Sequence, residues 1–186
     1  MIGYAFCGSF CTFADSFAEL CKLKNRYKDV LPIMSFHAYD TDTRFGDHKE
    51  WIEKIEAVCE RKIIHTIKDA EPLGPQIALD ALVIAPCTGN TLAKLANGIT
   101  DTPVCMSAKA HLRSDRPLVI ALASNDAMSA NLGNLGTLLS RKNIYFVPMR
   151  QDEPVKKPHS LVSDFASLPK TLEEALLGKQ TRKLFL

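Results

Sequence analysis

The sequence lacks a long apolar run and a basic amino-terminal segment. Its longest uninterrupted apolar run covers residues 118–123, whereas a membrane-spanning helix needs about 20 residues. The first residues carry no basic cluster, and Asp15 is an early acidic residue, which is untypical of a secretory signal peptide. We therefore expect a cytoplasmic protein that does not bind a membrane.

An excess of one charge, a cysteine framework and a zinc motif are also missing. The 23 basic and 21 acidic residues give a net charge of +2, which argues against a dedicated nucleic-acid-binding protein. Six cysteines without a Cys-x-x-Cys pair predict free thiols in a reducing compartment. The five histidines show no zinc-ligand spacing, so no metal is predicted, and His111 is expected on a helix surface.

Short apolar bursts alternate with amphipathic helical patterns along the chain. Bursts of four to seven residues without alternation are typical of strands that are buried on both faces of a parallel sheet. Helical stripes lie between them, and Gly98 is placed to end one of these helices. The sequence therefore predicts one α/β domain over residues 1–186, a Rossmann-like doubly wound parallel sheet in three α/β/α layers. The predicted strands cover residues 2–6, 30–36, 81–85, 118–123 and 144–147.

The carboxy-terminal part breaks this rhythm. Residues 149–169 contain three prolines and little periodicity, and a loop of that length in a compact domain is usually a lid, a binding loop or an interface arm. We therefore expect a core over residues 1–148 and an extended arm with a carboxy-terminal helix over residues 149–186.

Small and hydroxyl residues follow the predicted strands. They comprise Gly8 and Ser9, Ser35, residues 87–91 and residues 124–126. Ligands of open α/β sheets bind beyond the carboxyl ends of the strands, and helix amino termini bind phosphate. Each residue alone is equally typical of a helix cap. The glycines do not have the spacing of a dinucleotide fingerprint, and no Gly-Lys-Ser/Thr of a Walker loop is present.

Residues 85–101 carry a family resemblance. The run Ala-Pro-Cys-Thr-Gly-Asn-Thr-Leu-Ala-Lys-Leu-Ala-Asn-Gly-Ile-Thr-Asp resembles the central signature of the FMN-binding flavoproteins, which include cysteine decarboxylases and flavin prenyltransferases. The Gly8–Ser9 pair, and Asn125 with Met128, resemble further motifs of that family. The resemblance spans residues 2 to about 148 and implies an FMN cofactor.

Four further segments narrow the resemblance to one branch of the family from spore-forming bacteria. They cover residues 43–46, 70–75, 124–127 and 142–148, the last leading to Gln151 and Asp152. This resemblance implies a homo-oligomeric subunit that works beside a separate NAD(P)-dependent subunit in forming a pyridine dicarboxylate.

The resemblance also assigns roles to residues. It implies that the phosphate of FMN lies at Gly8, Ser9, Thr12 and Ser35. The flavin ring is expected along Cys87, Thr88, Gly89 and Asn90, with Ser124 and Asn125 completing the site. A dicarboxylate substrate favours arginine, which binds a carboxylate through two hydrogen bonds; Arg44 is the principal candidate. Lys109, Arg113 and Arg150 are weaker candidates, and Asp101 is as typical of a structural cap.

Two departures from the family pattern leave alternatives open. The decarboxylases carry a catalytic histidine where this chain has Pro72, and the prenyltransferases carry an Arg-Glu pair where Ala123, Ser124 and Asn125 stand. No catalytic residue is therefore assigned. The alternatives are a binding or scaffold subunit without catalysis and a flavin prenyltransferase-like enzyme.

Overall fold

The computed structural model describes residues 1–74 and 76–186. Pro75, the last residue of the 70–75 segment, lies outside the described residues. The strands are β1 (Ile2–Phe6), β2 (Val30–Met34), β3 (Ala81–Cys87), β4 (Leu118–Ser124), β5 (Ile144–Phe146), β6 (Met149–Arg150) and β7 (Leu161–Ser163). The helices are α1 (Phe13–Arg26), α2 (Phe36–Asp40), α3 (His48–Cys59), α4 (Ile67–Ala70), α5 (Gly89–Asn97), α6 (Pro103–Leu112), α7 (Leu132–Leu139) and α8 (Leu168–Leu176). Single 3₁₀ turns cover Phe10–Thr12 and Phe165–Ser167.

Five strands form a parallel sheet in the order β2-β1-β3-β4-β5. The parallel sheet predicted from the apolar bursts is confirmed. A hairpin of β6 and β7 makes the whole sheet mixed, because β7 pairs antiparallel with the carboxyl end of β4, with Ser124 opposite Leu161. This hairpin belongs to the segment that the sequence predicts to be an extended arm.

Both faces of the sheet are covered, as expected for a doubly wound fold. Alternate β1 residues face opposite sides because side chains alternate along a strand. Tyr4 and Phe6 pack towards α1, α3 and α8, whereas Ala5 and Cys7 pack towards α5, α6 and α7. The predicted role of Gly98 is confirmed, since it ends α5 in the left-handed conformation with φ +71°.

The helix α6 carries one residue whose environment differs from the sequence-based expectation. The helix α6 shows no apolar stripe because it is buried on nearly every side, including Val104, Ala108 and Ala110. The prediction that His111 lies on a helix surface is wrong. Its side chain is completely buried, and its Nε2 lies 2.9 Å from the carbonyl oxygen of Pro117. Burial lowers the pKa of this imidazole below its ordinary value.

Candidate functional site

A cleft of about 680 Å³ lies beyond the carboxyl ends of β1, β3 and β4. Eight of the eleven candidate residues named from the sequence line it: Gly8, Ser9, Arg44, Thr88, Gly89, Asn90, Ser124 and Asn125. The remaining lining residues are Phe10, Cys11, Thr43, Phe45, Ala123, Asp126, Asp152, Lys157, Ser160 and Val162. The parallel strands bring these distant segments together because their carboxyl ends share one edge of the sheet.

Three candidate residues lie outside the cleft lining. Thr12 is buried and donates its hydroxyl hydrogen to the Ser9 carbonyl oxygen over 2.9 Å. Ser35 caps α2, where its hydroxyl accepts a hydrogen bond from the Ala38 amide. Cys87 is completely buried, and burial raises the pKa of its thiol well above the ordinary value. These side chains act in the local fold, as the helix-cap interpretation of such turns allows.

The inner end of the cleft depends on Gly89. A Cβ at this position would lie 2.5 Å from Ser124 Oγ and 2.6 Å from Asp126 Oδ1. It would also lie 2.8 Å from Asn131 Nδ2. Only glycine therefore lets the polar residues after β4 approach the first turn of α5 so closely. We refer to Gly89, Ser124, Asp126 and Asn131 as the floor of the cleft.

Hydrogen bonds fix the side chains of the floor. Ser124 Oγ donates to Asp126 Oδ1. Asn131 Nδ2 donates to Asp126 Oδ2 over 2.9 Å, and the amide of Asn134 donates to Asn131 Oδ1 over 2.9 Å. The chain of hydrogen bonds continues to Asn97 of α5, whose amide reaches Asn134 over 3.2 Å. The Asp126 carboxylate is therefore held by Ser124 of β4 and by Asn131 before α7.

The turns after β1 and β3 are also connected. Ser9 Oγ donates to the Ala123 carbonyl oxygen over 3.1 Å, which ties the β1 turn to β4. Thr88 caps α5 by accepting the Thr91 amide over 3.1 Å, and Thr91 Oγ1 donates to Cys7 Sγ over 3.4 Å. These hydrogen bonds fix the turns after β1 and β3 relative to each other and to β4.

Arg44 is exposed on the loop before α3. Its guanidinium lies 4.8 Å from the centre of the Phe45 ring, a favourable cation–π arrangement. The acids beside it are engaged elsewhere, because Asp42 Oδ1 lies 2.6 Å from His48 Nδ1 and Asp47 caps α3. Within residues 1–74 and 76–186, Arg44 makes no ion pair. Its charge is therefore available to an anion in the cleft.

The β6–β7 hairpin supplies the facing wall. Lys157 Nζ lies 2.9 Å from Asp152 Oδ2. Burial raises the pKa of the Asp152 carboxyl, but hydrogen bonds from Ser160 and Lys157 outweigh it and bring that pKa below its ordinary value. We refer to Arg44, Phe45, Asp152 and Lys157 as the rim of the cleft, which carries two cations and one carboxylate.

Sequence reasoning assigned no role to the hairpin residues Asp152, Lys157, Ser160 and Val162, which line the cleft. The strands β6 and β7 have two and three residues, which is too short for a periodic pattern. Asp126 carried a usable signal, because it directly follows two candidate residues at the end of a strand. The weaker candidates Lys109, Arg113 and Arg150 do not line the cleft, and Asp101 pairs with Lys94 over 2.8 Å.

Comparisons with known proteins agree with this architecture. The chain is 45% identical over 183 residues to the B subunit of dipicolinate synthase from Bacillus subtilis, covering 98% of this chain and 92% of that protein. The crystal structure of the corresponding B subunit from Bacillus halodurans matches with a TM-score of 0.91 and 42% identity, over 100% of this chain and 95% of that one. The FMN-dependent cysteine decarboxylase SpaF matches with a TM-score of 0.67 and 25% identity, over 95% and 94%.

Within the described part of the chain, no helix has both the length and the apolar character needed to cross a membrane.

The model of the Flavoprotein family matches residues 18–163. This match covers most of the sheet, together with the turns after β3 and β4 that line the cleft. The chain therefore belongs to the Flavoprotein family.

Proposed function

We propose that this chain is the FMN-binding subunit of a dipicolinate synthase. In this proposal it acts with the separate A subunit of dipicolinate synthase in the oxidation of a dihydropyridine dicarboxylate to dipicolinate during sporulation. The supporting observation is the cleft, which combines a floor shaped by Gly89 with a cationic rim at Arg44 and Lys157. The 45% identity to the B subunit of a dipicolinate synthase supports the choice of complex.

The residues of the cleft fit FMN. A volume of about 680 Å³ lies within the range of about 300–1,000 Å³ that is usual for cofactor and ligand sites. Gly8 and Ser9 form the turn that would receive the phosphate, and Lys157 on the rim supplies positive charge for it. Thr88–Asn90 and Asn125 supply polar groups for the ring. When bound, the flavin provides an acceptor for a hydride, and the protein provides its binding and electrostatic environment.

Arg44 is the residue that we propose for the substrate carboxylates. Its guanidinium presents a planar set of donors that matches a carboxylate through two parallel hydrogen bonds. The Phe45 ring at 4.8 Å restricts the orientation of this guanidinium. Arg44 therefore positions the substrate, while no residue of the chain is assigned to proton transfer.

The proposed partners are the A subunit of dipicolinate synthase and further copies of this chain. The family resemblance implies NAD(P) on the A subunit, and this chain has no dinucleotide fingerprint. A homo-oligomer is proposed from the family resemblance, and Phe45, 41% exposed on the rim, leaves apolar surface at the cleft for a neighbouring copy. Light scattering of the purified chain tests this, and a monomer would contradict it.

One observation favours a second candidate, a binding or scaffold subunit without flavin. Among the described residues, the lining of the cleft includes no histidine, and Pro72 stands where the decarboxylases carry their catalytic histidine. A dicarboxylate held at Arg44 would then be passed to the A subunit without redox chemistry on this chain.

An absorbance spectrum from 300 to 550 nm separates the two candidates. The purified chain is measured before and after incubation with FMN, followed by gel filtration. Flavin bands that co-elute with the protein support the flavoprotein candidate, and the next assay combines the chain with the A subunit and the dihydropyridine. Folded protein that retains no flavin overturns the first candidate in favour of the second.

A further inference from the structure

Asp126 occupies a distinctive chemical position in the cleft. Both of its carboxylate oxygens receive hydrogen bonds from the protein, one from Ser124 and one from Asn131. An ionised carboxylate is purely an acceptor of hydrogen bonds. Since each oxygen accepts more than one hydrogen bond, the group retains capacity for a donor that enters the cleft it lines.

The same carboxylate lies against the amino terminus of α5. A Cβ on Gly89, the first residue of this helix, would lie 2.6 Å from Asp126 Oδ1. The partial positive charge of that helix terminus therefore already faces an anion of the protein. A ligand phosphate or carboxylate would be repelled at this end, whereas the cations Arg44 and Lys157 lie on the loops of the rim.

We propose that Asp126 accepts a hydrogen bond from the ring N–H of the flavin pyrimidine edge and thereby sets the orientation of the cofactor in the cleft. This inference rests on the proposed FMN function. The isoalloxazine ring has one such donor, N3–H, between two carbonyl acceptors. A fixed carboxylate matches that donor, and the amide of the neighbouring Asn125 lines the same part of the cleft and offers a donor for an adjacent carbonyl. The phosphate is thereby directed towards the rim.

The test compares FMN with 3-methyl-FMN, in which a methyl group replaces the hydrogen on N3. Each is titrated into the full chain, and binding is followed by quenching of flavin fluorescence. The wild-type protein is expected to bind FMN at least about 10-fold more tightly, because the methyl group removes the donor and places an apolar group against a carboxylate. Asp126→Ala is expected to lose this preference and bind the two flavins with similar affinity.

Two variants serve as controls. Asp152→Ala removes a carboxylate from the rim of the same cleft and is expected to keep the preference for FMN. Asp126→Asn retains the shape of the side chain, so it is expected to fold even if Asp126→Ala does not, and to show a reduced preference. A thermal melt of each variant establishes that it is folded.

The outcomes distinguish this inference from the function on which it depends. If folded wild-type protein binds neither flavin, the proposed function fails and the role of Asp126 fails with it. If wild type binds both flavins equally, or if the folded Asp126 variants keep the full preference, the role of Asp126 is overturned while FMN binding stands.

Discussion

The floor and the rim of the cleft are built in different ways. The floor lies between β4 and α5, and its polar side chains are held by one another through hydrogen bonds of about 2.9 Å. The rim lies on two loops, and its side chains are exposed ends of flexible chains such as Arg44 and Lys157. The floor is therefore a preorganised shape, whereas the rim is a source of charge. We expect substitutions that change side-chain volume to affect ligand binding most at the floor. We expect changes of ionic strength to affect it most at the rim.

The largest expected effect comes from Gly89→Ala, which tests whether the floor depends on shape. The new Cβ would lie 2.5 Å from Ser124 Oγ, so the polar cluster must move. Overpacking of this kind costs about 1–3 kcal/mol of folding free energy, and the affinity for FMN is expected to fall by at least about 10-fold, which is about 1.4 kcal/mol. Denaturant unfolding and flavin titration measure the two effects.

Gly133→Ala is the matched control for that variant. Gly133 lies in α7, and a Cβ there meets no atom within 4 Å. Alanine is favoured over glycine in a helix by about 1 kcal/mol, so stability should be unchanged or higher. Equal flavin affinity in Gly89→Ala and wild type would show that the shape of the floor does not matter.

Arg44→Ala tests the rim as a source of charge. The affinity for a pyridine dicarboxylate is expected to fall by about 10-fold, since a hydrogen bond to a charged group contributes about 1.5–3 kcal/mol. Binding to wild type should weaken with added salt because exposed charges are screened, and the variant should lose most of that salt dependence. Calorimetric titrations at two salt concentrations measure both.

Arg113→Ala is the corresponding control, because Arg113 is exposed at the end of α6, away from the cleft lining. Arg44→Lys should recover part of the affinity but not the paired geometry of the guanidinium. An identical loss in Arg113→Ala would mean that net charge, rather than the rim, determines the binding.

The alkylation rates of individual cysteines distinguish buried positions from positions in the open cleft. Cys11 is exposed and lines the cleft, whereas Cys7 and Cys87 are buried. Burial raises the pKa of Cys7 to about 12, and alkylation proceeds through the thiolate. At pH 8, iodoacetamide should modify Cys11 at least about 100-fold faster than Cys7 or Cys87. Peptide mass spectrometry over time measures this.

Bound FMN adds a second readout to that experiment. Occupancy of the cleft should slow the modification of Cys11 and leave the rate at Cys21, which does not line the cleft, unchanged. Equal protection of the two thiols would indicate a general change of the fold rather than occupancy of the cleft.

The smallest expected effect concerns the Asp152–Lys157 pair. The pKa of Asp152 is lowered in the folded chain, so its stabilisation is fully present above the pKa of the unfolded carboxyl and is lost as the pH falls through the folded value. An exposed ion pair contributes little to stability because solvent and salt screen it. Asp152→Asn should therefore lower the melting temperature slightly at pH 6, and this difference should shrink as the pH falls below the ordinary pKa range of aspartate.

The elements that could be predicted from the sequence are those marked by an apolar run or by a residue typical of a helix end. The five parallel strands are apolar bursts, and Gly98 marks a helix end, so both could be predicted. The helix α6 could not, because burial on nearly all sides removes its stripe. Seven of the eight lining residues were predicted from turns after strands, and Arg44 from the match of a guanidinium to a dicarboxylate. Lys157 and Asp152 lie on a hairpin whose pairing partners are distant in sequence.

The pairing of β7 with Ala123 and Ser124 has a consequence for how this protein can diverge. Two residue pairs attach the hairpin to the strand that carries the floor, and the connection from β6 to β7 projects from them as a surface loop. Surface loops tolerate substitution and insertion far better than the elements that anchor them. Selection can therefore rewrite residues 151–160, and with them the charge on the rim, without disturbing the floor of the cleft.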